Sequence, residues 1–198
     1  MAAAWDRSGA VLHGEFPVLM DGTVIDVYSV RIEVSTRFPR GLPTIYEVSG
    51  RIPRDPDRHV NGDGSCCVGV PVELELELGP SFSILDYLRG PVNSFFVGQY
   101  LVERGLPWPS GVERSHGAEG VLEFFREHLG EPELTLKELV RWIALFAQKS
   151  VKRHYRCPCG TGRVIRSCHP ERFAAMVATV SRHRAQEMLL HLGGARGE

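Results

Sequence analysis

No apolar run in this 198-residue sequence approaches the length that spans a bilayer. The opening residues, MAAAW, lack the basic region and apolar stretch of a secretory leader, so neither export nor membrane insertion is expected. Net charge is also nearly absent, at −1 with neutral histidines. Nothing global therefore points to nucleic acid or to an anionic surface. There is no internal repeat and no low-complexity linker. Cysteine is scarce: five residues, an odd number, in two tight groups. A disulfide framework would scatter and pair them, so the expectation is a reducing cytoplasm in which thiols stay free for catalysis or metal. The length suits one domain of ordinary size plus an appendage, with a core that needs no staples.

What is present changes character along the chain. FPVLM, VIDVYSVRIEVS and IYEVSGRI are rich in β-branched and aromatic residues, and they are separated by Asp21-Gly22 and by FPRGLP. Connections this short predict an antiparallel meander. VELELEL, residues 72–78, alternates strictly and is predicted as a strand with Glu73, Glu75 and Glu77 on a solvated face. SILDYLRGPVNSFFVGQYLVER then reads as helix, bent near Gly90-Pro91. AEGVLEFFREHLG reads as a second helix closed by Gly130. Thr135 and Glu138 form a capping-box pattern before ELVRWIALFAQKSV. A final helix is predicted from about Glu171 to Leu192, ending at Gly193-Gly194. Strands followed by a turn-rich segment and then helices predict an α+β fold.

The first chemical constellation is HVNGDGSCCVG, residues 59–69. A thiolate is a strong nucleophile, and acyl transfer through a thioester also needs a hydrogen-bond donor for the developing oxyanion. Asn61 supplies such an amide, and Gly62 and Gly64 permit a turn sharp enough to return it toward a thiol. His59 is the nearest base, with no histidine–carboxylate relay beside it. Read from the residues alone, the segment is either an active-site cysteine or a pair of buried structural thiols.

His59-Val60-Asn61 followed by Gly64-Ser65-Cys66-Cys67-Val68 resembles the His-Pro-Asn … Gly-x-Ile-Cys-Leu signature of ubiquitin-conjugating enzymes. The upstream VYSVRIEVSTRFPRGLPTIYEVSGRI resembles that family's strand, Pro-rich turn and strand. Downstream, Leu78-Gly79-Pro80-Ser81-Phe82-Ser83-Ile84 resembles its Trp-x-Pro-x-x-x-Ile stretch. The likeness covers roughly residues 15–125 and rests on the order of several motifs. It implies a UBC-like fold, with a conjugating domain over residues 10–130 and a helical extension over 131–198. It implies that Cys67 accepts a ubiquitin-like modifier as a thioester and that Cys66 is a packing residue. Asn61 takes the place associated with oxyanion support or loop order, and His59 that of the mostly structural signature histidine. Glu113, Ser115 and His116 fall in the loop region where the family places a residue that assists the attacking amine. The implied partners are the modifier, an activating enzyme and a target protein, with no membrane; nucleic acid is not expected. Val60 stands where the family has proline and Leu78 where it has tryptophan, and VELELEL reads as an insertion. These departures point to a divergent bacterial relative, in a conjugation system for which antiphage defence is one plausible setting.

The second constellation is CPCGTGRVIRSCH, residues 157–169. Cys157, Cys159, Cys168 and His169 at C-x-C-x8-C-H spacing fit a tetrahedral Cys3His site. Thiolates and imidazole favour zinc over hard cations, and four protein ligands leave no open position, so the predicted zinc is structural. The stretch resembles the SEC-C motif, a small zinc knuckle of the preprotein-translocase ATPase and of many bacterial proteins. Lys149, Lys152, Arg153, His154, Arg156, Arg163 and Arg166 make its surroundings basic. They suit a partner protein, a nucleic-acid backbone or a helix C-terminus, and the resemblance favours the first. Two other readings of the whole chain remain beside the conjugating enzyme: a non-catalytic binding module, and a thiol hydrolase using His59 or His116 as base.

Overall fold

The structure, a computed structural model, describes residues 2–5, 7, 9–109 and 114–194. The chain divides into two compact units, Met1–Glu113 and Arg114–Glu198. The first unit is built on a four-stranded antiparallel sheet in the order β1-β2-β3-β4. Its strands are β1 (Ala2–Trp5), β2 (Gly9–Met20), β3 (Thr23–Ser35) and β4 (Thr44–Glu47). The meander is therefore as expected. Asp21 and Gly22 join β2 to β3 as a two-residue turn, and both have positive φ, as the tight turns favoured in hairpins require. β1 is not marked by any strand pattern in the sequence. Its alanines are better helix formers, and pairing with Ala10–His13 of β2 overrides that preference.

One face of the sheet buries Phe16, Val18, Tyr28, Val30, Ile32 and Ile45. The bent helix anticipated around Gly90-Pro91 lies against this core. It runs as α2 (Ile84–Tyr87), a π-helical turn over Leu88–Val92 and α3 (Asn93–Val102). Pro91 has no N–H to give the regular ladder, so the widened turn forms around it. Ser83 and Asp86 form a capping box at the start of α2. At the other end of the bend, the Asn93 side chain bonds both N–H and C=O of Leu19, at 2.8 Å each, where the β2–β3 register shifts.

VELELEL is helical, not extended: it forms α1 (Pro71–Leu78). Pro71 sits in the first turn, where its missing N–H costs nothing, and leucine and glutamate are strong helix formers. Leu74 is buried in the core and Leu78, four residues on, packs against it, while Leu76 is 40% exposed. A period of two and a spacing of four coincide at those leucines, and local propensity decides between them.

The second unit contains α4 (Gly117–Leu129), α5 (Leu136–Phe146), α6 (Pro170–Thr179) and α7 (Arg182–Gly194). The expected boundary at residue 130 groups α4 with the first domain, whereas α4 packs on α5 and α7. Gly130 closes α4 in the left-handed conformation, and the Thr135–Glu138 capping box opens α5. Leu122, Phe125, Leu139, Trp142, Ile143 and Met176 form much of the core. The single helix expected over 171–192 is two helices. Val180 is extended and buried at the break, and the Ser181 hydroxyl accepts the N–H of Arg184 at 3.1 Å. Among the described residues, no helix is long and apolar enough to cross a membrane.

Candidate functional site

The segment 59–67 is a miniature hairpin. The N–H of Asn61 donates to Ser65 O at 2.9 Å, that of Gly64 to Asn61 O at 2.8 Å, and that of Cys67 to His59 O at 2.7 Å. Val60 and Cys66 pair across it. The ribbon is anchored to the sheet by Cys66 N–H on Ile45 O, at 2.7 Å, and by the pairing of Ser65 with Tyr46. Side chains on a ribbon alternate in direction with a period of two. Val60 and Cys66 thus point one way and are buried, while His59, Asn61 and Cys67 belong to the opposite face. The pairing makes Asn61 and Cys67 diagonal neighbours, a relation that places side chains roughly 7–8 Å apart.

The two thiols differ accordingly. Burial pushes the Cys66 thiol up to about 12. Cys67 is only partly buried; burial raises its thiol as well, and a hydrogen bond from the Gly69 backbone to the sulfur offsets part of that. Neither sulfur is therefore held as a thiolate at neutral pH. Both are free, with no vicinal disulfide.

Asn61 is fixed by a directed chain of hydrogen bonds. Ser65 donates its hydroxyl (2.7 Å) and its N–H (2.9 Å) to Asp63 Oδ1, and these bonds hold the Asp63 carboxyl below its usual value. With its proton committed, the Ser65 oxygen accepts from Asn61 Nδ2 at 2.9 Å. An amide nitrogen carries two hydrogens, so one donor of Asn61 remains beyond this bond.

His59 has φ 51° and closes the short turn Pro56–Arg58. Its ring lies on that of Trp108, with centroids 4.6 Å apart, and Trp108 in turn meets Phe95 edge-on at 6.0 Å. Gln99, fully buried in α3, fixes the same turn. It accepts from Arg58 Nε and Nη2 at 3.0 and 2.7 Å and donates to Arg58 O at 2.6 Å. Sequence reasoning passed over Gln99, Trp108, Asp63 and Ser65. A glycine and a glutamine inside the apolar helix FFVGQYLV were the available signal.

Gly98 makes the approach of Trp108 possible, because a Cβ there would lie 2.5 Å from the indole ring. Gly98→Ala is therefore expected to push Trp108 off His59. It should cost about 1–3 kcal/mol, as overpacking does, despite the better helix propensity of alanine. Urea unfolding measures the cost, and an unchanged midpoint would show that Trp108 does not brace the hairpin.

Of the residues expected to assist an attacking amine, Ser115 and His116 belong to the second unit. Glu113 lies outside the described residues. Ser115 serves the start of α4, where its hydroxyl and N–H both reach Glu123, at 2.6 and 2.9 Å. His116 occupies the N-cap position of that helix.

In the second unit, Cys157, Cys159, Cys168 and His169 converge, with all four candidate ligand atoms within 4.8 Å of one another. This group can hold a metal ion. Cys157 Sγ lies 3.2 Å from His169 Nδ1, and Cys159 Sγ lies 3.5 Å from Cys168 Sγ. Cys157 and Cys159 sit on a turn in which Cys157 N–H bonds Arg163 O at 2.8 Å, and Gly160 and Gly162 take positive φ. Cys168 and His169 follow the short turn Ile165–Ser167, and their N–H groups both bond Ile165 O at 3.0 Å. Trp142 of α5 meets the His169 ring edge-on at 6.4 Å. The Thr161 hydroxyl reaches both Cys159 and Cys168, at 3.3 and 3.2 Å. Burial pushes Cys157 up. It works the same way on Cys159, but hydrogen bonds from Thr161 prevail and hold that thiol below its ordinary value.

Comparison with protein-family models, with curated proteins and with solved structures returned no match.

Proposed function

We propose that the first unit is an acyl carrier of the ubiquitin-conjugating type and that the second carries a structural zinc knuckle. One observation supports the carrier reading above the rest. The hairpin register turns Cys66 inward and sets Cys67, Asn61 and His59 together on the other face. In this reading the Cys67 sulfur, deprotonated as it attacks, adds to the thioester carbonyl of a modifier held by an activating enzyme. The tetrahedral adduct collapses with loss of that enzyme's thiolate, and the modifier is now bonded to Cys67. A lysine amine of a target then adds to the new thioester. The C–S bond breaks, the Cys67 thiolate leaves and takes up a proton, and an amide remains. The remaining N–H of Asn61 is the donor offered to the oxyanion in both steps, and the Asp63–Ser65 chain keeps the carboxamide from turning away.

A raised thiol suits relay better than hydrolysis. A thiol hydrolase wants a thiolate stabilised by a neighbouring imidazolium, which lowers the thiol, whereas burial here moves Cys67 in the opposite direction. Alkylation by iodoacetamide across a pH series is expected to accelerate only above the ordinary thiol range of about 8.5. A plateau reached below neutrality would favour the hydrolase. The carrier reading itself is tested with the cognate activating enzyme, ATP and a ubiquitin-like modifier, followed by non-reducing electrophoresis. A wild-type chain that never carries modifier leaves the binding-module reading in its place.

Zinc is the metal that the donor set favours in the second unit. Three sulfurs and one imidazole nitrogen around zinc make a tetrahedron with edges of about 3.5–3.8 Å. The Cys157–His169 and Cys159–Cys168 separations, 3.2 and 3.5 Å, lie close to those edges. The bound nitrogen would be His169 Nδ1, the ring atom facing Cys157. With four protein ligands the ion would organise the chain rather than activate water.

A further inference from the structure

We propose that the ribbon around the Cys3His group is a docking surface for the phosphate backbone of a nucleic acid. Between Glu138 and Glu171 the sequence holds seven cations, Arg141, Lys149, Lys152, Arg153, Arg156, Arg163 and Arg166, and no acidic residue, in a chain whose net charge is −1. All seven side chains are exposed. Among the described residues, none of them lies within ion-pair distance of a carboxylate.

Two simpler explanations fail. Cations gather at helix C-termini to answer the dipole, but α5 ends at Phe146 with no basic residue in its last turn, and the arginines follow it on a ribbon. Cations can also neutralise a metal–thiolate cluster. Three thiolates around a divalent ion leave a single net negative charge, however, which one cation answers.

The ribbon is built so that the charges stand together. Arg166 N–H donates to Arg153 O at 2.9 Å, Ile165 N–H to Tyr155 O at 2.9 Å, and Arg156 pairs with Val164. Like charges on neighbouring strands destabilise the pairing, so this arrangement costs the fold something that an anionic ligand would return. Arg141 reaches the same place from α5, with Nη1 3.7 Å from where a side chain on Gly160 would begin.

Composition decides the kind of anion. The sequence alone favoured a protein partner, but protein interfaces have apolar centres, whereas nucleic-acid interfaces are polar and strongly positive. The exposed residues over 152–167 are Lys152, Arg153, His154, Arg156, Arg163, Arg166, Ser167 and the Gly160–Gly162 turn, with no exposed apolar side chain among them. Such a surface contacts backbone and reads no bases, so RNA and DNA share the binding chemistry.

The test is fluorescence anisotropy of the full chain with short labelled single-stranded RNA and duplex DNA of mixed sequence. Binding to the duplex is expected to weaken roughly 150-fold between about 50 and 200 mM salt, the loss for about four phosphate contacts. Arg156→Gln/Arg163→Gln and, independently, Lys152→Gln/Arg166→Gln should each reduce the salt slope by about two. Arg37→Gln/Arg40→Gln, exposed in the first unit, should leave it unchanged. Cobalt uptake equal to wild type identifies variants whose ribbon is intact. The proposal is overturned by absence of salt-dependent binding to both polymers, or by equal loss in the control variant. Selective binding to anionic vesicles or to polyglutamate in their place would overturn it as well.

Discussion

Cys67→Ala is expected to abolish a reducible adduct with a ubiquitin-like modifier, while Cys66→Ala keeps it. The effect is all or none, because the acceptor atom is removed in one case and only a packing atom in the other. Cys67→Ser sharpens the result. A hydroxyl in the same place gives an oxyester that survives reductant and yields to base, so the chemistry of the bond can be read directly. Cys66 is 8% exposed and packs in the core, so its truncation should cost about 1 kcal/mol of stability without touching the acceptor. Adduct formation that follows Cys66, or that persists without either thiol, would end the carrier reading. Asn61→Ala gives a graded outcome beside these. Loading and discharge should slow by about 10²–10³-fold if the carboxamide meets the oxyanion. Because Asn61 also holds the turn through Ser65, Ser65→Ala serves as the control: it breaks the same hydrogen bond but leaves the amide in place. Equal losses in the two variants would assign Asn61 to loop order alone.

The difference between Cys66 and Cys67 shows what a sequence can carry. Adjacent residues on a paired strand face opposite ways, so one of two neighbouring cysteines had to be inside once the segment paired at all. The motif order suggested which one, and the pairing of Val60 with Cys66 agrees. VELELEL went the other way. Its alternation is compatible with a strand, and only Pro71 and the helix preference of leucine and glutamate argued against one. The break at Val180-Ser181 was likewise marked by a single capping serine inside an otherwise continuous helical pattern. Gln99 and Trp108 were invisible for a different reason. Their partners, Arg58 and His59, lie 41 and 49 positions away, and no local pattern encodes a pairing at that distance. The Cys3His group was legible because its four side chains fall within thirteen residues and the turns that bring them together are local.

Removal of metal is expected to unravel residues 157–169 and to weaken the second unit by several kcal/mol. Structural zinc in small knuckles supplies roughly 10–16 kcal/mol at neutral pH, comparable with the whole stability of a domain at about 5–15. Part of that is spent bringing four ligands together, and Ile165, Trp142 and Met176 are buried without any help from metal. The loss should therefore be confined to the knuckle and the start of α6, leaving α4, α5 and α7 helical. Hydrogen exchange reads this residue by residue. The amides of Cys157, Ile165 and His169, bonded to Arg163 O, Tyr155 O and Ile165 O, should lose protection in chelator. Those of Leu139 and Ala147, on Thr135 O and Ile143 O, should keep it. Cys168→Ser should reproduce the chelator's effect with metal present, since it removes one of the four donors. Cobalt should bind one ion per chain and give the visible absorption of a tetrahedral thiolate site, and Thr161→Val should weaken its retention, because the hydroxyl that bonds two of the sulfurs is gone. If the dialysed chain takes up no cobalt and chelator leaves the Cys157 amide protected, the four side chains are an ordinary packed cluster. The arginine ribbon would then stand on its own three backbone hydrogen bonds.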